Sequence, residues 1–185
     1  SGSDVSATGQ TLSQQLAADD FSLFQLPRAY RLDRSRLDAR WKDLQREAHP
    51  DKFAAQGTAA QRVALQWSVR INEAYQRLKD PLKRAAYLCE LGGSPIQAEV
   101  NTAMPAAFLM KQMEWRETLD EQAEELPELE ALMTEVQESK SDILVEITEA
   151  IDVAKNYQRA AELLRGLLFI DKFEIELDDA IAALI

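Results

Sequence analysis

Apolar positions recur along most of the chain at the three- and four-residue spacing of amphipathic helices. After Asp33, a good N-cap residue, Leu37, Trp41, Leu44 and Ala48 line one stripe of a helix whose opposite face is polar. From near Thr58 the pattern returns with Val63, Trp67, Ile71, Ala74 and Leu78. It stops before Asp80-Pro81, because proline disfavours helical geometry in the residue preceding it. Two such stripes predict two helices facing each other. Between them lies His49-Pro50-Asp51, followed at once by Lys52-Phe53. Pro50 fixes its own φ, lacks an N–H and pushes His49 out of helical geometry. The first helix is therefore expected to stop there, with the polar pair projecting from a stiff turn as an exposed contact.

Further on, Gly92-Gly93 reads as a helix stop, and Ser94-Pro95 makes continuation difficult. Residues 94–104 form a connector without clear periodicity. Its Ile96, Val100 and Met104 suggest that it packs partly between two modules. Pro105 suits the first position of a new helix, expected to run to about Glu125. A second follows Pro127 with Leu129, Leu132, Val136, Ile143, Ile147 and Ile151, and a third follows Asn156 with Ala160, Leu163, Leu164, Leu167 and Ile170. Short turns imply antiparallel neighbours, and a three-helix bundle over residues 105–185 is the simplest way for these stripes to bury one another. On a helical wheel Phe108, Trp115, Leu119, Ala123 and Leu126 supply the core face of the first of these helices. Leu109, Met110 and Met113 are left over, sharing the outer region with Glu114, Glu117, Asp120, Glu121 and Glu124. Geometry alone leaves two readings open: an apolar partner surface rimmed by carboxylates, or packing against the connector or a neighbouring helix.

Composition supports an all-α chain of one ordinary or two small domains. Six glycines and six prolines in 185 residues argue against a turn-rich β architecture. No apolar run reaches the ~20 residues needed to cross a bilayer, and Ser1-Gly2-Ser3-Asp4 lacks the character of a signal peptide, so a cytoplasmic protein without membrane contact is expected. Residues 1–19 are expected to be a flexible tail whose opening is an expression scar. A single cysteine, Cys89, rules out an intramolecular disulfide within this chain. With only one histidine beside it, neither a metal site nor a cofactor is expected, and Cys89 reads as a small buried apolar residue. Residues 1–104 carry 14 basic and 12 acidic side chains, whereas residues 105–185 carry 7 basic and 20 acidic ones. So acidic a second half repels phosphate backbones, which argues against nucleic acid and for two surfaces serving two protein partners.

The first part of the chain resembles the J domain, the module that activates DnaK-type ATPase chaperones. The resemblance covers residues 20–91 (J domain boundaries 20–93). It rests on a short first helix from Phe21 to Leu26, a basic second helix, His49-Pro50-Asp51 with Lys52-Phe53, and a long third helix containing Ile71-Asn72-Glu73-Ala74-Tyr75. Asp80-Pro81 with Arg84-Ala85-Ala86-Tyr87 then opens a fourth helix. It implies that His49, Pro50, Asp51 and Lys52 dock on the chaperone and speed its ATP hydrolysis. Arg36, Arg40, Lys42 and Arg46 would add electrostatic attraction, unless they form an ordinary solvated face.

The second part resembles the C-terminal domain of HscB-type iron-sulfur co-chaperones. The residues carrying this are Phe108-Leu109-Met110, Met113-Glu114, Arg116-Glu117, Leu119-Asp120-Glu121 and Leu168-Phe169-Ile170-Asp171-Lys172. This resemblance implies a bundle that binds an IscU-type cluster scaffold through Leu109, Met110, Met113, Glu114, Glu117, Glu121 and Phe169. The J domain would deliver that scaffold to an HscA-type chaperone. Lys111 sits oddly among the acids. Some eukaryotic relatives carry a cysteine-rich zinc segment with no counterpart here, so the chain resembles the bacterial form. A non-enzymatic adaptor is the expected function; the alternative is a general J protein presenting unfolded clients. An enzyme using His49 and Asp51 as acid and base is disfavoured, because residues flanking a proline seldom converge on one substrate atom, and no phosphate loop, nucleophile or oxyanion site is evident.

Overall fold

The computed structural model describes residues 11–185, and residues 1–10 of the expected tail lie outside the described residues. Every extended regular element among the described residues is helical. None of these helices is long and apolar enough to cross a membrane. The chain divides into two compact units, one ending at Arg84 and the other beginning at Ala85, earlier than the boundary expected at Gly92-Gly93.

The expected tail to residue 19 needs correction, because Leu12–Ala17 is a helix, α1. A capping box starts it: the Thr11 hydroxyl accepts from the Gln14 N–H, and the Gln14 side chain accepts from the Thr11 N–H. Later helices hold α1 in place. Arg40 donates to Gln15 Oε1 at 3.1 Å and Arg70 to the Ala18 carbonyl at 3.0 Å, while Gln15 and Leu16 are buried. Helix α2, Asp20–Leu23, is capped by Asp19 and buries Phe21 and Leu23, with Phe24 and Leu26 following. Asp20 is fully buried between Arg70 and Arg77, each 2.8 Å away, which joins α2 to the helix that supplies both arginines.

That helix is α4, Thr58–Lys79, which pairs with α3, Arg34–Glu47. Asp33 caps α3 by accepting from the Arg36 N–H. The hairpin buries Leu37, Leu44 and Ala48 against a stripe of Ala64, Ile71, Ala74 and Leu78. Each large side chain so buried contributes roughly 1.5–3 kcal/mol. The expected stripes were slightly misaimed. Val63 is exposed, and Trp41 and Trp67 are only half-buried at the rim. An indole brings a polar N–H that needs a partner, and Trp41 satisfies it at the rim by donating to Asn72 Oδ1 at 3.0 Å. The Tyr75 ring stacks on Trp41 at 4.9 Å, and its hydroxyl donates to Asp38 at 2.8 Å. Bonds from Tyr75 and from Arg34 hold the Asp38 carboxyl below its usual range.

Helix α5, Pro81–Leu91, ends where the double glycine suggests. Gly93 takes φ +86°, its N–H donates to the Glu90 carbonyl, and the Ser94 N–H donates to Cys89 O at 2.8 Å, the pair of bonds that closes a Schellman stop. Cys89 is buried, which pushes its thiol up to about 11, so it stays protonated at neutral pH.

The second unit's bundle comprises α6, Ala106–Glu121, α7, Leu126–Thr148, and α8, Tyr157–Ala182. A single π turn, Glu149–Val153, follows α7. All the apolar residues expected to form the cores of α7 and α8 are buried. Lys140 on α7 bonds to Asp171 at 2.7 Å and Glu174 at 2.8 Å on α8. Partial burial opposes the lysine's charge, but these two acceptors outweigh it and hold its pKa above the ordinary value. Helix α6 is shorter than expected, ending four residues before Glu125. Its inward face also differs. Trp115 is buried, Phe108 and Leu119 are half-buried, Ala123 is exposed, and a buried Gln112 fills the position between the aromatics. The connector is held within this unit. Arg165 on α8 donates to the carbonyls of Pro95 at 3.3 Å, Ile96 at 2.8 Å and Ala103 at 3.0 Å. Ile96 is buried, but Val100 is exposed rather than packed.

Candidate docking surfaces

The first surface is the turn between α3 and α4. Pro50 sends His49 to an extended φ of −62° and ψ of 130°, and α3 stops at Glu47. Instead of an irregular loop, Pro50–Gln56 forms a 3-10 turn with His49 as its N-cap, the ring Nδ1 accepting from the Asp51 N–H at 3.2 Å. A neutral ring that accepts at Nδ1 carries its hydrogen on Nε2, so the turn presents a ring donor beside an acceptor carboxylate. His49 and Asp51 have side chains 60% and 90% exposed, with Nδ1 and Oδ2 3.6 Å apart. Two contacts brace the turn on α4. The Phe53 ring meets Trp67 edge-on at 5.7 Å, and Ser68 Oγ donates to the Ala48 carbonyl at 3.3 Å. Gly57, at φ +99°, then lets the chain enter α4, a conformation costly for a residue with a Cβ.

The basic residues of α3 split. Arg36, Lys42 and Arg46 are exposed, Arg46 bonding to Asp43, and Lys52 is exposed on the turn itself. Arg40 does not join them. Its guanidinium turns inward to the Leu23 carbonyl at 3.3 Å and to Gln15, leaving the side chain only 13% exposed. The expectation that Arg40 is an outward docking cation is therefore corrected: its bonds are spent holding α1 and α2.

The second surface lies along the seam of α6 and α8. Gly166 receives the Phe108 ring so closely that an added Cβ would lie 2.2 Å from it, Trp115 stacks on Phe173 at 5.9 Å, and Arg116 bonds to Glu176 at 2.9 Å. These pairs advance together, so the two helices run parallel. Leu109 and Phe169 each lie seven residues, about two turns, before the Arg116 and Glu176 that meet. They are therefore level with each other on the same edge of the seam. Leu109, Met110, Met113 and Phe169 are all exposed, as are Glu114, Glu117 and Glu121. Of the two packings open to these apolar side chains, the structure has the one that leaves them to solvent. Lys111 leans over the Trp115 ring at 5.9 Å, which carries its charge toward the indole.

Residues 104–178 match the family described as the HSCB C-terminal oligomerisation domain. A co-chaperone protein HscB homolog of Azoarcus sp. (strain BH72) is 44% identical over 171 residues, covering 91% of this chain and 97% of the relative. The chain belongs to the HscB co-chaperone family. An HscB homolog of Cupriavidus taiwanensis is 45% identical over 172 residues, 92% of this chain and 97% of its own. Among solved structures, chaperone HscB from Vibrio cholerae is similar at TM-score 0.69 and 34% identity, over 91% of this chain and all of that one. Human co-chaperone HscB is similar at TM-score 0.72 and 28% identity, over 87% and 81%. As an HscB-family member the protein is a co-chaperone of iron-sulfur cluster assembly, built of a J domain and a C-terminal helical bundle.

Some supports of this HscB-family fold were missed in the sequence. Asn72 accepts from both Trp41 and Gln45, the latter at 2.7 Å, and so ties α3 to α4 beside the turn. Its signal was visible as the polar residue interrupting Ile71 to Tyr75. The Arg116 to Glu176 pair that fixes the second surface had no local signal, because its partners are far apart in the chain.

Proposed function

We propose that the turn at His49-Pro50-Asp51 docks on an HscA/DnaK-type ATPase chaperone and stimulates its hydrolysis, while the α6/α8 surface holds an IscU-type scaffold. Exposure of the two sets of groups on separate compact units is the observation that carries this reading. The imidazole donor and the Asp51 carboxylate offer the chaperone two directional contacts at fixed spacing. Arg36, Lys42, Arg46 and Lys52 speed encounter with an acidic partner. On the second unit an adaptable leucine and methionine cluster with Phe169 supplies apolar contact, and Glu114, Glu117 and Glu121 select a basic rim on the scaffold. The protein performs no turnover itself and works in the cytoplasm. Its contribution is to raise the effective concentration of scaffold at the chaperone by joining two modest interactions in one chain.

His49→Gln is expected to abolish ATPase stimulation and leave scaffold affinity unchanged. Leu109→Ala, Met113→Ala and Phe169→Ala are expected to weaken scaffold binding by about 1 to 2 kcal/mol each. Steady-state ATPase assays and scaffold titration calorimetry on both sets separate the roles; loss of both activities in either set would contradict the division.

A further inference from the structure

A groove on the opposite flank of α8 has no role in the reading above. Its walls are α7 from Glu130 to Lys140 and α8 from Asp171 to Ile181, and it encloses about 700 Å³. It is distinct from the α6 seam. Phe173 and Glu176 turn toward Trp115 and Arg116, whereas Ile175 and Asp178 project well round the helix from them, at about 100° per residue. Met133, Ile175 and Ile181 give the groove an apolar lining, and Ile175 is 63% exposed. Carboxylates edge it. Asp171 and Glu174 are bonded to Lys140, the one cation of the lining, while Glu130 and Asp178 stand exposed.

We propose that this groove docks a basic amphipathic helix of a partner protein. Charge decides the occupant. Four carboxylates face one ammonium already held by two of them, inside a half-chain with 20 acidic and 7 basic side chains. A second copy offering the same surface would add like charge to like charge, whereas lysines and arginines flanking an apolar stripe meet Glu130 and Asp178 while burying Ile175 and Met133. The eleven residues of each wall span about 15 Å from first to last, which accommodates nearly three turns of a docked helix.

The test uses the full chain and a fluorescein-labelled synthetic helix with leucine at i, i+3, i+4 and i+7 and lysine elsewhere. The control peptide keeps the leucines and replaces lysine with glutamate. Fluorescence anisotropy should detect binding of the lysine peptide alone. Reversing charge with Glu130→Lys and Asp178→Lys, or removing apolar area with Ile175→Ser, should each weaken it about tenfold. Glu138→Lys with Asp142→Lys, on an outer face of α7, should change it less than about twofold. Scaffold titration of the groove variants should give wild-type affinity, so failure here is distinguishable from failure of the α6 surface. Equal losses from reversal at both places would reveal only diffuse attraction. Dimerisation of the unliganded chain that Ile175→Ser abolishes, seen by sedimentation, would make a second copy the occupant. Either result, or no effect of Ile175→Ser, overturns the proposal.

Discussion

His49 shows how one side chain can be both part of the architecture and part of the display. By accepting the Asp51 N–H at Nδ1 it caps the 3-10 turn while its side chain stays 60% exposed. The helix stop and the exposure were legible, since proline restricts its own φ and that of its predecessor whatever the surroundings, but the capping bond was not. What could not be read was the fate of individual arginines. Arg40 has the same local spacing as Arg36, yet the α1 and α2 carbonyl and amide groups within its reach turn it inward. Asp20 is a parallel case: in sequence it is one more surface-type acid, but in the fold it is enclosed by Arg70 and Arg77. Removing one member of a buried ion pair costs about 3–5 kcal/mol. Because Arg77 and Arg70 keep some solvent exposure and can rehydrate, Asp20→Asn should fall near the low end, about 3 kcal/mol. Urea unfolding monitored by tryptophan fluorescence would measure it.

Among the elements, the long helices were predictable because periodicity is strong over many turns, whereas α1 was overlooked although its Thr11 to Gln14 capping box was in plain view. A short polar helix contributes little pattern of its own; here Arg40 and Arg70 supply the missing stability from elsewhere in the chain. The inward face of α6 was harder, since Gln112 lies where periodicity calls for an apolar residue. Leu109, Met110 and Met113 were legible as lying off the core face of α6, but the wheel alone did not decide between exposure and packing against a neighbour, and the structure exposes them. Close approach of α6 to α8 depends on Gly166. Replacing it by alanine should gain about 1 kcal/mol of helix propensity, but the Cβ would overlap the Phe108 ring, and such overpacking costs about 1–3 kcal/mol. Sterics should win. Gly166→Ala is expected to lower the melting temperature and, by displacing α6 from Phe169, to weaken scaffold binding, both measurable on the same sample by calorimetry.

At the scale of the whole molecule, the chain carries a net charge of −11 concentrated in its second half. Local pairs such as Arg116 with Glu176 and Lys140 with Asp171 are few against that excess. Self-repulsion should therefore outweigh the attraction that salt also screens. Raising sodium chloride from low to physiological levels is expected to increase the melting temperature by about 2–4 °C, a shift corresponding to roughly 1 kcal/mol at this size. A fall, seen by differential scanning calorimetry, would mean that the ion pairs dominate. The two compact units part at Arg84, inside α5, whereas the glycine stop lies at the end of that helix, which need not be the edge of a compact body. Arg165 clips Pro95, Ile96 and Ala103 with one guanidinium, and exposed Val100 lies in the span between those anchor points. Both ends of that span are fastened to α8, so a reporter peptide or dye inserted at Val100 would enlarge a closed eyelet without stretching the thread on either side of it.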